Sequence, residues 1–182
     1  MASTITTYPA LYPLLTPELP GIEPVQMLQQ IQVTAREFFR DTECWRDELS
    51  PVNIVVDKTT YALPKLYDAM IHRIIWVTTG GTTSDPIPVD DYDLIEDYML
   101  ELANAPSAAL ADGLVVKAVF IPYLFSSEIP TFLMEKRGEA IAAGVKAALM
   151  VQNNKKWSDP ETKEVERRMC PVGGARIWAS GW

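Results

Sequence analysis

Cysteine and histidine are scarce in this chain. Cys44, Cys170 and His72 are the whole complement in 182 residues. The two cysteines stand far apart in sequence and form no metal or redox motif, so nothing reads as a disulfide scaffold. The first residues, Met1-Ala-Ser-Thr, offer neither the basic nor the apolar region of a signal peptide. No apolar run approaches the ~20 residues of a membrane span. The expectation is a protein made and used in a cytosol-like compartment, with no membrane partner. Internal repeats and low-complexity tracts are also missing.

Positive charge is in short supply. Sixteen Lys and Arg face twenty-four Asp and Glu, for a net charge of −8. A protein that grips nucleic acid would carry a basic face, so the balance argues against one. The distribution says more than the sum. Between Asp68 and Asp112 stand nine acids and one base, whereas Lys136 to Arg176 holds nine bases and five acids. Two halves with opposite fields can stack head to tail with copies of themselves, or present an acidic wall on one side.

What is present is ordinary for a globular chain with a sizeable core: 48% hydrophobic and 22% charged residues, enough for one domain and a small satellite. Pro9, Pro13, Pro17 and Pro20 read as an extended N-terminal arm lying on a surface. A helix is expected from Pro24 to Asp41, with Leu28, Ile31, Ala35, Phe38 and Phe39 on one face, and Trp45 follows as a core anchor. Asn53–Val56 and Thr60–Leu63 around Asp57-Lys58-Thr59 predict a hairpin. Ala69–Thr78 predicts a strand covered on both faces. Asp90–Ala103, with Tyr92, Ile95, Tyr98, Met99 and Leu102 at helical spacing, predicts an acidic helix. Asp112-Gly113 between apolar runs predicts a second hairpin. The longest helix is expected over Pro130–Trp157, and Ser158-Asp159-Pro160-Glu161 has the form of a capping box opening a last helix to Met169.

The expected class is therefore α+β. It is a helical bundle with a long helix in its C-terminal half and an inserted small antiparallel β-sandwich or barrel. Residues 1–22 form the extended N-terminal arm. Residues 23–50 and 125–170 make the helical domain, 51–124 the β-rich module with its acidic helix, and 171–182 a C-terminal arm. That last arm carries Arg176, Ile177, Trp178 and Trp182, apolar anchors suited to a subunit contact.

Few residues suggest catalysis. His72 lies mid-strand in an apolar stretch, where a satisfied structural histidine outweighs a hydrolase that pairs it with Ser84 or Ser107. Gly80-Gly81-Thr82-Thr83-Ser84 lacks the lysine and the helix opening of a phosphate loop. Asp90, Asp91 and Asp93 lack the spaced glycine of a calcium loop. A solvated acidic surface is the plain reading of Asp90, Asp91, Asp93, Glu96, Asp97 and Glu101. Its functional version is a channel wall that lets DNA pass, because carboxylates repel phosphates where Lys and Arg would hold them. No catalytic residue, metal site or cofactor is expected, and the chain does not read as an enzyme.

Taken as a string, the chain resembles the head-to-tail adaptor proteins of bacteriophages, also called head-completion or connector proteins, and the tail tubular proteins of short-tailed phages. An extended Tyr/Pro arm precedes Pro24-Val-Gln-Met-Leu-Gln-Gln-Ile31 and Ala35-Arg-Glu-Phe-Phe-Arg-Asp-Thr-Glu-Cys-Trp45, and a short β-hairpin ends in Tyr61-Ala-Leu-Pro64. In the second half, Ile129-Pro-Thr-Phe-Leu133 opens a helix carrying Ala142-Ala-Gly-Val-Lys-Ala-Ala-Leu149, followed by Lys156-Trp-Ser-Asp-Pro-Glu161. The resemblance covers most of the chain, loosely from Asp68 to Leu124, and rests on pattern and spacing rather than a catalytic signature. It implies a ring of twelve copies in the virion neck, assembled in the host cytoplasm and docked below the portal protein. A downstream neck or tail protein would sit beneath it, and genomic DNA would cross the lumen without specific binding. It also implies that the arm from Pro171 to Trp182 reaches onto the portal or a neighbouring subunit. A tail-completion or stopper ring further down the neck fits the same pattern.

Overall fold

The computed structural model describes residues 4–80 and 86–152. The chain divides into two compact units, one of Met1–Thr42 with Pro122–Trp182 and one of Glu43–Ile121. The expected helical bundle does not form. Among the described residues, nine strands in three sheets outnumber three short helices, though the mixture of helix and strand remains.

In the first unit, a 3-10 turn over Tyr8–Leu11 runs into helix α1 (Tyr12–Leu15), and α2 (Pro24–Thr42) and α3 (Thr131–Met150) follow. Helix α2 forms where apolar residues recur every three to four positions, burying Met27, Ile31, Ala35, Phe38 and Phe39 on one face. Helix α3 packs against it antiparallel, with Gly144 opposite Thr34 and Gln152 hydrogen-bonded to Gln26. The expected N-terminal surface arm is instead core. Tyr8, Leu11, Leu15 and Leu19 are at most 2% exposed. Pro9 and Pro13 do not keep this stretch extended, because each sits in the first turn of a short helical segment, where no N–H is needed. Leu11 approaches Gly138 of α3, and the Glu18 carboxylate accepts from Lys146 Nζ at 2.7 Å. Strand β1 (Ile5–Thr7) pairs antiparallel with β9 (Glu128–Pro130), Ile5 facing Pro130 and Thr7 facing Glu128. Helix α3 stops at Met150, short of the expected Trp157. The Gln152 N–H donates back to the Leu149 carbonyl, and the twenty residues of α3 span roughly 30 Å. Residues 153–157 and the expected last helix lie outside the described residues.

The second unit is built on β8 (Leu110–Pro122), whose residues up to Ile121 belong to it. Strands β2 (Arg46–Glu48) and β3 (Val52–Ile54) pair antiparallel with successive stretches of β8, and β5 (Ala69–Thr78) pairs with β8 as well. A separate sheet has the order β4 (Thr60–Ala62), β7 (Met99–Leu102), β6 (Tyr92–Glu96). Trp45 is buried, its ring 6.0 Å from that of Phe120 and 6.2 Å from that of Tyr67.

Three expectations for this region change. The two runs around Asp57 do not pair with each other, because β3 joins β8 and β4 joins β7. Asp57 does turn the chain, with φ at 59°, and the Tyr61 hydroxyl donates to the Lys58 carbonyl to close that turn. Asp112-Gly113 is a bulge and not a hairpin. Val52 faces Leu114 while Ile54 faces Leu110, so two extra residues are absorbed in β8, with Asp112 at φ 50°. Strand β5 is not covered on both faces, since His72 and Arg73 are exposed and Ile74, Ile75 and Trp76 are only half-buried.

Candidate interaction surface

The expected acidic helix over Asp90–Ala103 is a strand pair. Asp90 and Asp91 lie in a 3-10 turn, β6 and β7 follow, and Asp97-Tyr98 is the turn between them. The reason lies in which side chains leave water. Leu100 and Leu102 alternate as buried residues, and Tyr92 and Leu94 face them across the pair at Leu102 and Leu100. A period of two thus replaces the period of 3.6 suggested by Tyr92, Ile95, Tyr98, Met99 and Leu102. A register shift at Ile95 keeps the pattern from alternating cleanly to the turn. Tyr98 tucks inward, and its hydroxyl donates to the Ala69 carbonyl at 2.9 Å.

That arrangement sorts the acids to one side. Asp93 stands directly across from Glu101, which stands across from Thr60 on β4, while Met99 lies between Ala62 and Glu96. Asp93, Glu96, Asp97 and Glu101 are all exposed, as is Asp90, and Asp91 is half-buried. None of the three strands carries Lys or Arg. The inner face, by contrast, is Tyr61, Leu100 and Leu94 in register. The sheet thus has an apolar side and a wholly acidic or neutral side. Among the described residues, no group of three or more His, Cys, Asp or Glu is placed to hold a metal ion.

His72 is not the buried structural histidine its surroundings suggested, since it projects from β5 into solvent. Its neighbour Arg73 forms a two-pronged ion pair with Glu43, with Arg73 Nε at 3.1 Å from one carboxylate oxygen and Nη2 on the other. This pair holds the Glu43 carboxyl below the usual carboxylate range, chiefly through the hydrogen bond from Arg73. Ser107 is exposed on the loop before β8, and Ser84 lies outside the described residues. So do the arm residues Arg176, Ile177, Trp178 and Trp182.

Two features carried no periodic signal in the sequence. Glu43 and Arg73 are thirty positions apart. Leu124 and Phe125 follow Pro122 in a short loop, and Phe125 is 80% exposed. Helix period and strand period are both silent about a loop of five residues.

No helix among the described residues is long and apolar enough to cross a membrane. Comparison with protein-family models and with curated proteins finds no match.

Proposed function

We propose that this chain is a structural ring subunit of a tailed bacteriophage neck, an adaptor that joins the portal to the tail and lines part of the DNA passage. The observation that carries the reading is the outer face of the β4-β7-β6 sheet, where Asp93, Glu96 and Glu101 are exposed, with Asp97 exposed in the turn between β6 and β7, and no base stands on any of the three strands. Such a face repels phosphates, so a duplex moving past it is not held. The basic stretch from Lys136 to Arg176 supplies the opposite field needed for copies to associate side by side. The arm of Arg176, Ile177, Trp178 and Trp182 supplies anchors for a neighbour or for the portal. The partners in this reading are further copies of the chain, a portal protein, a downstream neck or tail protein, and DNA in transit.

The deciding experiment is a cryo-microscopy map of the particle neck, combined with the mass of the complex formed by purified protein and portal. A closed ring of this chain beneath the portal, with Asp93 and Glu101 facing the lumen, is the expected result. A protein that stays monomeric with portal present, is missing from the neck and turns over a substrate would overturn the reading. A lumen lined by a different face would remove the role given to the acids and leave the ring.

A further inference from the structure

Helix α2 gives way to a residue ill-suited to its place. Its last residue is Thr42, whose hydroxyl donates to the Phe38 carbonyl at 2.7 Å. Glu43 follows with φ at 47°. This is the left-handed position just past a helix end, where glycine is the usual occupant. A Cβ there crowds the carbonyl oxygen that follows, so the conformation persists only where its surroundings hold it. Asp57 and Asp112, also at positive φ, are of a type that tolerates it, and glutamate is not.

Two arginines supply the hold. Arg46 Nε donates to the Glu43 carbonyl at 2.9 Å. Arg73, on β5, grips the carboxylate with two nitrogens, Nε at 3.1 Å from one oxygen and Nη2 on the other. Glycine would relieve the backbone and lose the grip of Arg73.

The position of Glu43 in the chain gives that grip a consequence. The chain passes between its two units twice, at Thr42–Glu43 and at Ile121–Pro122. At the second crossing the proline ring fixes φ, and Arg36 Nη1 donates to the Pro122 carbonyl at 2.7 Å. At the first, the intrinsic preference of Glu43 runs against the conformation adopted. The ion pair that opposes this preference is open to water, the side chain of Arg73 being 54% exposed and that of Glu43 29%. Such a pair is weak and is screened by salt. Trp45 is buried, and its carbonyl accepts from the Phe120 N–H at 2.8 Å. Loosening at Glu43 therefore stops two residues on.

We propose that the Glu43–Arg73 pair is a releasable latch on the first crossing: it holds Glu43 in the left-handed conformation, and when it opens Glu43 and Cys44 loosen while both units stay folded. Ionic strength is the lever. The latch operates whether the chain works in a ring or alone.

The Cys44 thiol reports the state of the crossing, because it follows Glu43 directly and is half-buried. The full-length protein is treated with iodoacetamide, a neutral reagent, and alkylation is read by mass spectrometry on the peptide that holds Cys44. The rate follows the population of the open state. Glu43→Gln and Arg73→Met should each speed labelling about two- to fivefold, with the double variant no faster than either single one. Salt should bring the wild type toward the variants and leave the variants unchanged. The two substitutions change the charge beside the thiol in opposite senses. Effects of opposite sign would therefore mean altered thiol reactivity and would overturn the latch, as would wild-type labelling as fast as that of the double variant. Glu43→Ala should label about fivefold faster than Glu43→Gly, because glycine keeps the left-handed turn without the grip. Equal rates would remove backbone strain as the drive for opening and overturn the proposal. Labelling in dilute urea separates opening from unfolding, since local opening exposes little surface and its rate should stay flat. A rate that climbs along the global unfolding curve would show that the thiol is reached only by whole-unit unfolding, and the latch would fall.

Discussion

Asp93 on β6 and Glu101 on β7 face each other directly across one solvent-exposed strand pair. Facing like charges in a sheet are destabilising, whereas facing opposite charges add a few tenths of a kcal/mol to about 1 kcal/mol. The sheet therefore forms despite this pair, held by Tyr61, Leu100 and Leu94 on its other side. Asp93→Lys should raise the unfolding free energy by about 0.5 kcal/mol at low salt. The gain should shrink as salt screens the pair. Urea midpoints at two ionic strengths measure it. An unchanged midpoint at low salt would mean that the two carboxylates do not feel each other.

The bulge in β8 leads to a second expectation. Gly113 is buried, and a Cβ there would come within 2.9 Å of both Cβ and Cγ of Leu110 and 2.8 Å of its Cδ2. The side-chain end of Leu110 can swing away, but its Cβ is fixed to the backbone. Gly113→Ala should cost about 1–3 kcal/mol. Adding Leu110→Ala removes Cγ and Cδ2 and leaves the Cβ, so the double variant should recover only part of that loss. Full recovery would show that the backbone has room and that the crowding came from the side chain alone.

The elements legible in the sequence were those whose pattern was long and whose period was unambiguous. Helix α2 carries its apolar face for five turns, and Trp45 and the strand Ala69–Thr78 stood out by size and β-branching. Asp90–Ala103 misled because Tyr92, Ile95, Tyr98, Met99 and Leu102 satisfy a helical count as well as Leu94, Leu100 and Leu102 satisfy a strand count. Burial decides between them, and burial is set by strands elsewhere in the chain. Asp112-Gly113 misled because a positive φ and a glycine serve a bulge as well as a hairpin turn, and only the pairing with Val52 and Ile54 distinguishes them. The N-terminal prolines misled because a first-turn proline and a helix-breaking proline look alike until Leu11 and Leu15 find α3 and its surroundings. For the candidate surface, the composition marked the acids but not their common face, which arises from strand register. The exposure of Phe125 followed from no pattern at all.

Close packing of α2 and α3 depends on Gly144. A Cβ on Gly144 would lie 2.9 Å from Thr34 Cγ2. Thr34 is 1% exposed and β-branched, so its methyl cannot easily rotate aside. Gly144→Ala gains about 0.5–1 kcal/mol in helix propensity, but the clash should outweigh that and leave a net loss of roughly 1–2 kcal/mol. Thr34→Ser removes the methyl and keeps the hydroxyl that accepts from Gln30 Nε2. In that background Gly144→Ala should be neutral or stabilising. A double-mutant cycle by chemical denaturation reads the coupling directly. Equal effects of Gly144→Ala in both backgrounds would put the tight contact somewhere other than Thr34.

Two glutamates should bend the pH profile of stability in opposite senses. Glu43 is held below its ordinary value of 4.5, first by the hydrogen bond from Arg73. A lowered folded-state value means that its contribution is fully present above the unfolded value and is lost as pH falls through the folded one. Glu37 is raised from 4.5, first by partial burial, with Asp41 adding to the shift and Arg40 opposing it. Its ionised form is disfavoured in the folded chain, so stability declines as pH climbs from the unfolded value through the raised one. Glu43→Gln should therefore lose a few tenths of a kcal/mol at pH 7, discounted because the Arg73 pair is open to solvent. It should match the wild type in acid below the folded-state value of Glu43. Gln retains the Cβ, so the left-handed backbone at Glu43, φ 47°, contributes equally to both proteins. Glu37→Gln should gain at most a few tenths of a kcal/mol at pH 7, discounted because Glu37 is only half-buried, and nothing in acid below the unfolded value. Urea midpoints from pH 3 to pH 7 separate the two. If both variants track the wild type across that range, neither carboxylate differs between folded and unfolded chains, and the geometry at Arg73 and along α2 is not what holds them.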